Sequence, residues 1–181
     1  MENVKGKEAK TAGFIGGEKV CRIVIASGCT KAIKEDAAAL RDKIGAITGV
    51  FPEIADNGTA PNGTPEILVG ATARKESAEL TAALEKDGYG IRISGSRAVI
   101  TGASDDLVAV ALYAFSDRFI GNTEFTANGR MTLPDGFEYV GVDTSVGTVE
   151  EKLLSDRYVK AFLSSDDYIS IPKRGDFTDA Q

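Results

Sequence analysis

The order of elements between residues 66 and 102 constrains the fold of this chain more than any other feature. Residues 66–74 (EILVGATAR) predict a short buried strand and a turn, and residues 72–84 predict a weakly amphipathic helix. Residues 87–102 (DGYGIRISGSRAVITG) predict two strands joined at Gly95-Ser96, which suits the centre of a type II′ turn. A strand–helix unit that leads directly into a hairpin predicts a mixed sheet rather than an all-parallel one.

The flanking segments predict further elements of the same αβ pattern. Residues 20–26 are an apolar run broken only by Arg22, which predicts a buried strand. Ser104 predicts the cap of an apolar helix that reaches about residue 120. A helix over residues 31–47, ended by Gly49, is predicted from apolar positions at helical spacing, namely Ile33, Ala37, Leu40, Ile44 and Ile47.

Two weaker strands complete the predicted fold. Residues 50–55 predict a short strand interrupted by Pro52, and residues 131–142 predict a last strand or a hairpin that turns at Pro134. The sum is an α+β fold, a mixed β-sheet with two or three helices packed mainly on one face. Residues 1–17 are expected to be a flexible lead-in and residues 18–143 the αβ domain. Residues 144–181 are expected to be a helical linker or the truncated start of a following domain.

Composition excludes several classes of partner. The chain has 181 residues, of which 43% are apolar and 27% charged, as is ordinary for a globular domain. A net charge of −6 argues against a nucleic-acid partner, which needs clustered Lys and Arg. The sequence has no apolar run long enough for a membrane helix and no signal-peptide segment, so no membrane insertion is expected.

The residue types that are missing restrict the chemistry. Histidine is absent, which excludes Ser–His triads, Cys–His pairs and imidazole zinc sites. Acid–base chemistry would therefore fall to carboxylates, Lys, Tyr or Cys. Tryptophan, the best platform for stacking on a sugar ring, is also absent. Cys21 and Cys29 are too few for a disulfide framework, and we expect free thiols, with a bridge between them as the alternative.

Two glycine-containing stretches resemble nucleotide-binding loops but lack residues that such loops require. Residues 99–104 (VITGAS) are similar to a dehydrogenase nucleotide loop, but Asp106 and Val108 stand where glycines are needed. Acidic residues at a helix start would also repel a phosphate. Residues 13–19 (GFIGGEK) lack the Lys-Ser/Thr pair of a P-loop. We expect no cofactor.

Acidic pairs and one polar cluster are the remaining candidates for a site. Adjacent helical residues diverge by about 100°, so neighbouring acids do not form the facing carboxylates of a glycosidase. The cluster formed by Arg74, Glu76 and Ser77 at a helix start could bind an anion, but local capping and pairing are favoured. No catalytic, cofactor-binding or metal-binding residue is assigned. The acidic pairs are Glu35-Asp36, Asp105-Asp106, Glu150-Glu151 and Asp166-Asp167.

The order of elements over residues 19–121, somewhat over half of the chain, resembles a known domain. The domain that it resembles is the small αβ domain that precedes the catalytic barrel in family 20 β-N-acetylhexosaminidases and in α-glucuronidases. The version found in large uncharacterised bacterial surface or secreted proteins is the most similar. The matching segments are 22–26 (RIVIA), 47–49 (ITG), 66–70 (EILVG), Thr72, Arg74, Glu76, Ser77, 87–92 (DGYGIR) and 99–102 (VITG).

The resemblance implies a hexosaminidase domain-2-like fold without activity of its own. In the family the catalytic Asp-Glu pair lies in the following barrel, and this sequence has no Asp-Glu dipeptide. The resemblance also implies an extracellular or cell-surface location and a neighbouring domain of the same polypeptide as partner.

Three functions follow as hypotheses. The first is a non-catalytic accessory domain that braces a neighbouring catalytic domain in a carbohydrate-active or cell-surface protein. The second is a glycan-binding module, which the missing Trp disfavours. The third is a stand-alone carboxylate glycosidase, which needs two acids that converge in one pocket.

Overall fold

The computed structural model describes residues 10–143. The helix or linker expected over residues 144–181 and the first nine residues of the expected lead-in lie outside this range. In chain order the elements are β1 (Thr11–Gly16), β2 (Lys19–Val20), β3 (Arg22–Ile25), α1 (Lys31–Thr48), β4 (Glu53–Asp56), β5 (Glu66–Val69), α2 (Lys75–Ala83), β6 (Gly88–Ser94), β7 (Arg97–Gly102), α3 (Asp105–Phe119), β8 (Thr126–Ala127), β9 (Arg130–Pro134) and β10 (Glu138–Val142).

The larger of two sheets forms the centre of the domain, between the helices. Its six strands follow the order β10-β6-β7-β5-β3-β4. The four strands from β7 to β4 run parallel, whereas β6 and β10 pair antiparallel to their neighbours. The sheet is therefore mixed, as the strand–helix–hairpin order predicted, and the α+β class is confirmed.

The helices cover the sheet unequally. Ile23, Ile67 and Ile100 point to one face and join a core cluster with α1 and α3. Val24 and Leu68 point to the opposite face, where they pack with Leu80 of α2. Side chains alternate between the two faces of a strand, so both faces of β3, β5 and β7 are buried. Two of the three helices share one face, in agreement with the predicted packing.

Local signals explain where several elements begin and end. The Thr30 hydroxyl accepts a hydrogen bond from the Ile33 amide at the start of α1, and Gly49 ends that helix with φ 76°. Ser94 pairs with Arg97 across a two-residue loop in which Gly95 has φ 55°. No non-glycine residue in the described range has a positive φ, so this loop has the predicted type II′ form.

The smaller sheet corrects two expectations. It contains four strands in the order β2-β1-β9-β8. Residues 11–16 were expected in a flexible lead-in, but they form β1. This strand pairs with β9, and its Phe14 and Ile15 side chains are buried in the core. The single strand or hairpin expected over residues 131–142 is instead two strands in different sheets. Pro134 ends β9, and Gly136, at φ 84°, helps to turn the chain toward β10.

Other expectations concern the thiols and the membrane. Cys21 and Cys29 are free, so the bridge considered as an alternative does not form. Within residues 10–143, no helix combines the length and the apolar character required to cross a bilayer.

We expect Gly102→Ala to destabilise the fold by about 1–3 kcal/mol, as overpacking does. A Cβ at Gly102 would lie 2.5 Å from the carbonyl carbon of Leu107 and the nitrogen of Val108, both backbone atoms of α3. The matched control is Gly13→Ala, whose Cβ would meet only the Lys19 ammonium at 3.9 Å. Urea denaturation of both variants measures the difference, and equal midpoints would contradict the packing argument.

Candidate functional site

Charged side chains meet where three parallel strands begin. Arg22, Glu66 and Arg97 are the first residues of β3, β5 and β7, and the sheet register places them side by side. They lie two residues before Val24, Leu68 and Val99, so they share the face covered by α2. Glu66 has no solvent exposure.

Three arginines surround the Glu66 carboxylate, and we call these four residues the Glu66 cluster. Arg22 Nη2 lies 2.6 Å from Oε2, and Arg97 Nε lies 3.5 Å from Oε1. Arg74, which precedes α2, donates through Nε to Oε1 at 3.0 Å and through Nη2 to Oε2 at 3.1 Å. The Arg74 contact is bidentate, the strongest common geometry of an arginine–carboxylate pair.

The same arginines fix the loop after β4. Arg22 donates to the Ala60 carbonyl at 3.1 Å, and Arg74 donates to the Thr59 carbonyl at 2.7 Å. Arg97 donates to the Thr64 carbonyl at 3.3 Å. The Glu66 cluster therefore joins three strands, the start of α2 and the loop over residues 57–65 into one unit.

The environment of Glu66 keeps its carboxylate ionised. Burial would raise the pKa, but hydrogen bonds from Arg74 and Arg22 and the charge of Arg97 outweigh it and hold the pKa below the usual 4.5. An ionised carboxylate with both oxygens bound to guanidinium groups is unsuited to donate a proton at neutral pH. The chemistry of this cluster is that of a structural clamp.

The polar cluster predicted as a possible anion site is engaged within the protein. The hydroxyls of Ser77 and Thr72 lie 2.6 Å apart, and the Thr72 hydroxyl accepts from the Arg74 amide at 3.2 Å. Arg74 binds Glu66, and Glu76 lies 4.0 Å from Arg97. These contacts agree with the favoured alternative of local pairing.

A crevice opens at the opposite edge of the same strands. The connection from β3 through α1 leads to β4, at one edge of the sheet. The connection from β5 through α2 leads to β6, toward the opposite edge. Ligands of open αβ sheets bind where neighbouring connections diverge in this way. The carboxyl-edge crevice, as we call it, has a volume of about 330 Å³ and is lined by the loops that follow β3, β5 and β7.

One carboxylate lies in this crevice. Asp105 begins α3 and accepts a hydrogen bond from the Thr30 hydroxyl at 2.7 Å. The pKa of Asp36 on α1 is raised by burial, by the charge of Asp105 and by the charge of Glu35. A member of one predicted acidic pair thus acts on a member of another, although Asp36 does not line the crevice. The other two pairs lie outside the described residues.

Sequence reasoning did not single out Glu66. The available signal was the charge at the start of three otherwise apolar strands, at Arg22, Glu66 and Arg97. A charged residue that begins a buried strand requires a partner of opposite charge, and parallel register brings such residues together. In the part of the chain that the structure describes, no group of three or more His, Cys, Asp or Glu side chains could hold a metal ion.

Comparison with known proteins gives fold neighbours only. No family model and no curated relative match this chain. Among solved structures, the α-glucuronidase BtGH115A has 15% identity and a TM-score of 0.49 over 71% of this chain and 18% of its own. CpGH84D has 11% identity and a TM-score of 0.46 over 71% of this chain and 21% of its own.

A Streptomyces plicatus β-hexosaminidase, solved as a mutant with GlcNAc, is a third neighbour. It has 10% identity and a TM-score of 0.45 over 75% of this chain and 24% of its own. All three neighbours are glycoside-hydrolase chains, and this chain spans at most about a quarter of each. Their activities are properties of those proteins.

Replacing the buried carboxylate should destabilise the domain strongly. Glu66→Gln keeps the shape of the side chain but leaves Arg22, Arg74 and Arg97 without their shared anion, so we expect a loss of about 3–5 kcal/mol. The control is Glu79→Gln on α2, which removes an exposed pair with Lys75 and should cost at most about 0.5 kcal/mol. Equal free energies of unfolding for the two variants would exclude the clamp.

Acid should remove the same contribution in the native chain. Because the folded-state pKa of Glu66 lies below 4.5, the unfolded state binds more protons, and stability is lost as the pH falls through the folded-state pKa. The difference in urea midpoint between the native chain and Glu66→Gln should therefore be constant above about pH 5 and shrink below it. A difference that stays constant to pH 3 would contradict this assignment.

Proposed function

We propose that this chain is a non-catalytic accessory domain of a larger carbohydrate-active or cell-surface protein, where it braces a neighbouring catalytic domain. The observation that carries the proposal is the Glu66 cluster. The buried carboxylate is held ionised by arginines that bind it on both oxygens, and its interactions serve only to join strands, helix and loop. This use of a buried acid is structural.

The distribution of the other acids supports the same proposal. A carboxylate glycosidase needs two acids on opposite sides of one bond, roughly 5–10 Å apart, with different environments. Among the described residues that line the carboxyl-edge crevice, Asp105 is the one acid. The sequence resemblance, which implies a domain without activity of its own and an exported bacterial parent protein, supports the proposal independently.

The edge strand β10 offers a surface for the neighbouring domain. Val140 and Val142 are 48% and 45% exposed, on the same face of the sheet as α2. The other edge of the sheet is protected, because β4 carries Glu53 and Asp56 and follows Pro52. Glu138 is also exposed on β10 and pairs with Arg92, but the two valines beyond it form an exposed apolar surface. We assign the cover of this surface to a neighbouring domain of the same polypeptide.

A paired substitution tests the bracing role. Val140→Thr/Val142→Thr should leave the melting temperature of the 181-residue chain nearly unchanged, because both side chains are already exposed there. In the full-length native polypeptide the same change should lower the melting temperature of the domain or accelerate its proteolysis. Val20→Thr, which alters another exposed valine on β2, is the control and should have no effect in either context.

The native size of the polypeptide decides between accessory and independent roles. An immunoblot of cell and medium fractions should show a band much larger than 19 kDa, and the isolated chain should not hydrolyse aryl N-acetylhexosaminides or aryl glucuronides. A native band near 19 kDa, or hydrolysis by the isolated chain, would overturn the proposal.

A further inference from the structure

The carboxyl-edge crevice has no part in the bracing role, and its construction suits a ligand. We propose that it binds a small, neutral, hydroxyl-rich molecule of about monosaccharide size. This inference goes beyond the accessory function and does not depend on it, because the crevice and the exposed β10 strand are separate surfaces.

The size and the walls of the crevice set the first limit on its ligand. Its volume of about 330 Å³ lies at the lower end of the range for small-molecule sites, which is about 300–1,000 Å³. Ile33, Val69 and Val108 form its apolar floor and are themselves almost fully buried. Gly28, at φ 74°, is exposed at the rim, where the absence of a side chain leaves the backbone accessible.

The charge of the crevice sets the second limit. Two helices, α1 and α3, begin beside it, an arrangement that by itself favours anions. Here that preference is cancelled, because Asp105 occupies the helix start and binds the Thr30 hydroxyl. No Lys or Arg occurs among the described residues that line the crevice, and the pKa of Asp36 is raised by burial and by the charge of Asp105. A phosphate or carboxylate ligand would therefore be repelled.

The hydrogen-bonding groups set the third limit. An ionised carboxylate accepts hydrogen bonds at about four positions, and the Thr30 hydroxyl occupies one position on Asp105. Such a group binds ligand hydroxyls through charge-assisted hydrogen bonds. Thr81 also lines the crevice. Its hydroxyl lies 3.1 Å from the Thr101 hydroxyl and retains the capacity for one further hydrogen bond to a ligand oxygen. A neutral polyol satisfies all three limits.

The test is an amide NMR titration of the 181-residue chain with glucose, galactose and N-acetylglucosamine, and with glucose 6-phosphate as the matched anion. At least one neutral sugar should give saturable shifts at residues 28–30, 70–71 and 102–105, and the phosphate should give none. Shifts confined to other surfaces, tighter binding of the phosphate, or no saturable shifts in the millimolar range would each overturn the proposal.

Neighbouring acids provide a matched pair of variants. Asp105→Ala should weaken sugar binding about tenfold, as the loss of a charge-assisted hydrogen bond does. Asp106→Ala removes the same charge from the same helix turn, but Asp106 does not line the crevice, so the affinity should change less than about twofold. Equal weakening in both variants would mean a general helix-terminus effect and would contradict a built site.

The two cysteines provide a measurement that requires no variant. Cys29 is half-buried and lines the crevice, whereas burial raises the pKa of the Cys21 thiol to about 12 and makes it unreactive. The bound sugar should slow alkylation of Cys29 by iodoacetamide in a saturable manner. An unchanged rate at sugar concentrations that saturate the NMR shifts would place the ligand outside the crevice.

Discussion

The placement of one buried carboxylate governs the arrangement of this domain. Glu66 lies between Arg22 and Arg97 only when β3, β5 and β7 are in their observed register. A shift of β5 by one residue would turn Glu66 toward the apolar layer of α1 and α3. Desolvating a charge without a partner costs several kcal/mol, so this cluster penalises registers that turn Glu66 to the other face of the sheet.

This constraint also explains why the two ends of the strands differ. At the amino ends, the arginines bind Glu66 and the carbonyls of Thr59, Ala60 and Thr64, so the loop after β4 closes that edge. At the carboxyl ends the loops after β3 and β5 diverge, and small residues leave a crevice between them. The closed edge supplies rigidity, and the open edge is where the fold has room for a ligand.

Much of this architecture could be predicted from local signals, and the rest could not. Gly95, Thr30, Gly49 and Ser104 define turns and caps through their own backbone or hydroxyl, so the hairpin and two helices follow from short windows. The strand at residues 11–16 depends on pairing with β9, more than a hundred residues later. Its glycines are typical of a loop, so the sequence does not indicate that two of its side chains belong to the core. The Glu66 cluster was missed for the same reason, because its members meet only through sheet register.

The acids at the start of α3 show how one local signal can have two consequences. In the sequence, Ser104 and the two following acids predict a helix cap, and the Ser104 hydroxyl does accept from the Leu107 amide. In the structure, Asp105 also extends to Thr30 at the start of α1, so it links two helix starts across the crevice. The carboxylate that stabilises both helix starts thereby cancels the anion preference of the crevice, since a helix dipole and a carboxylate act in opposite directions on an approaching ligand.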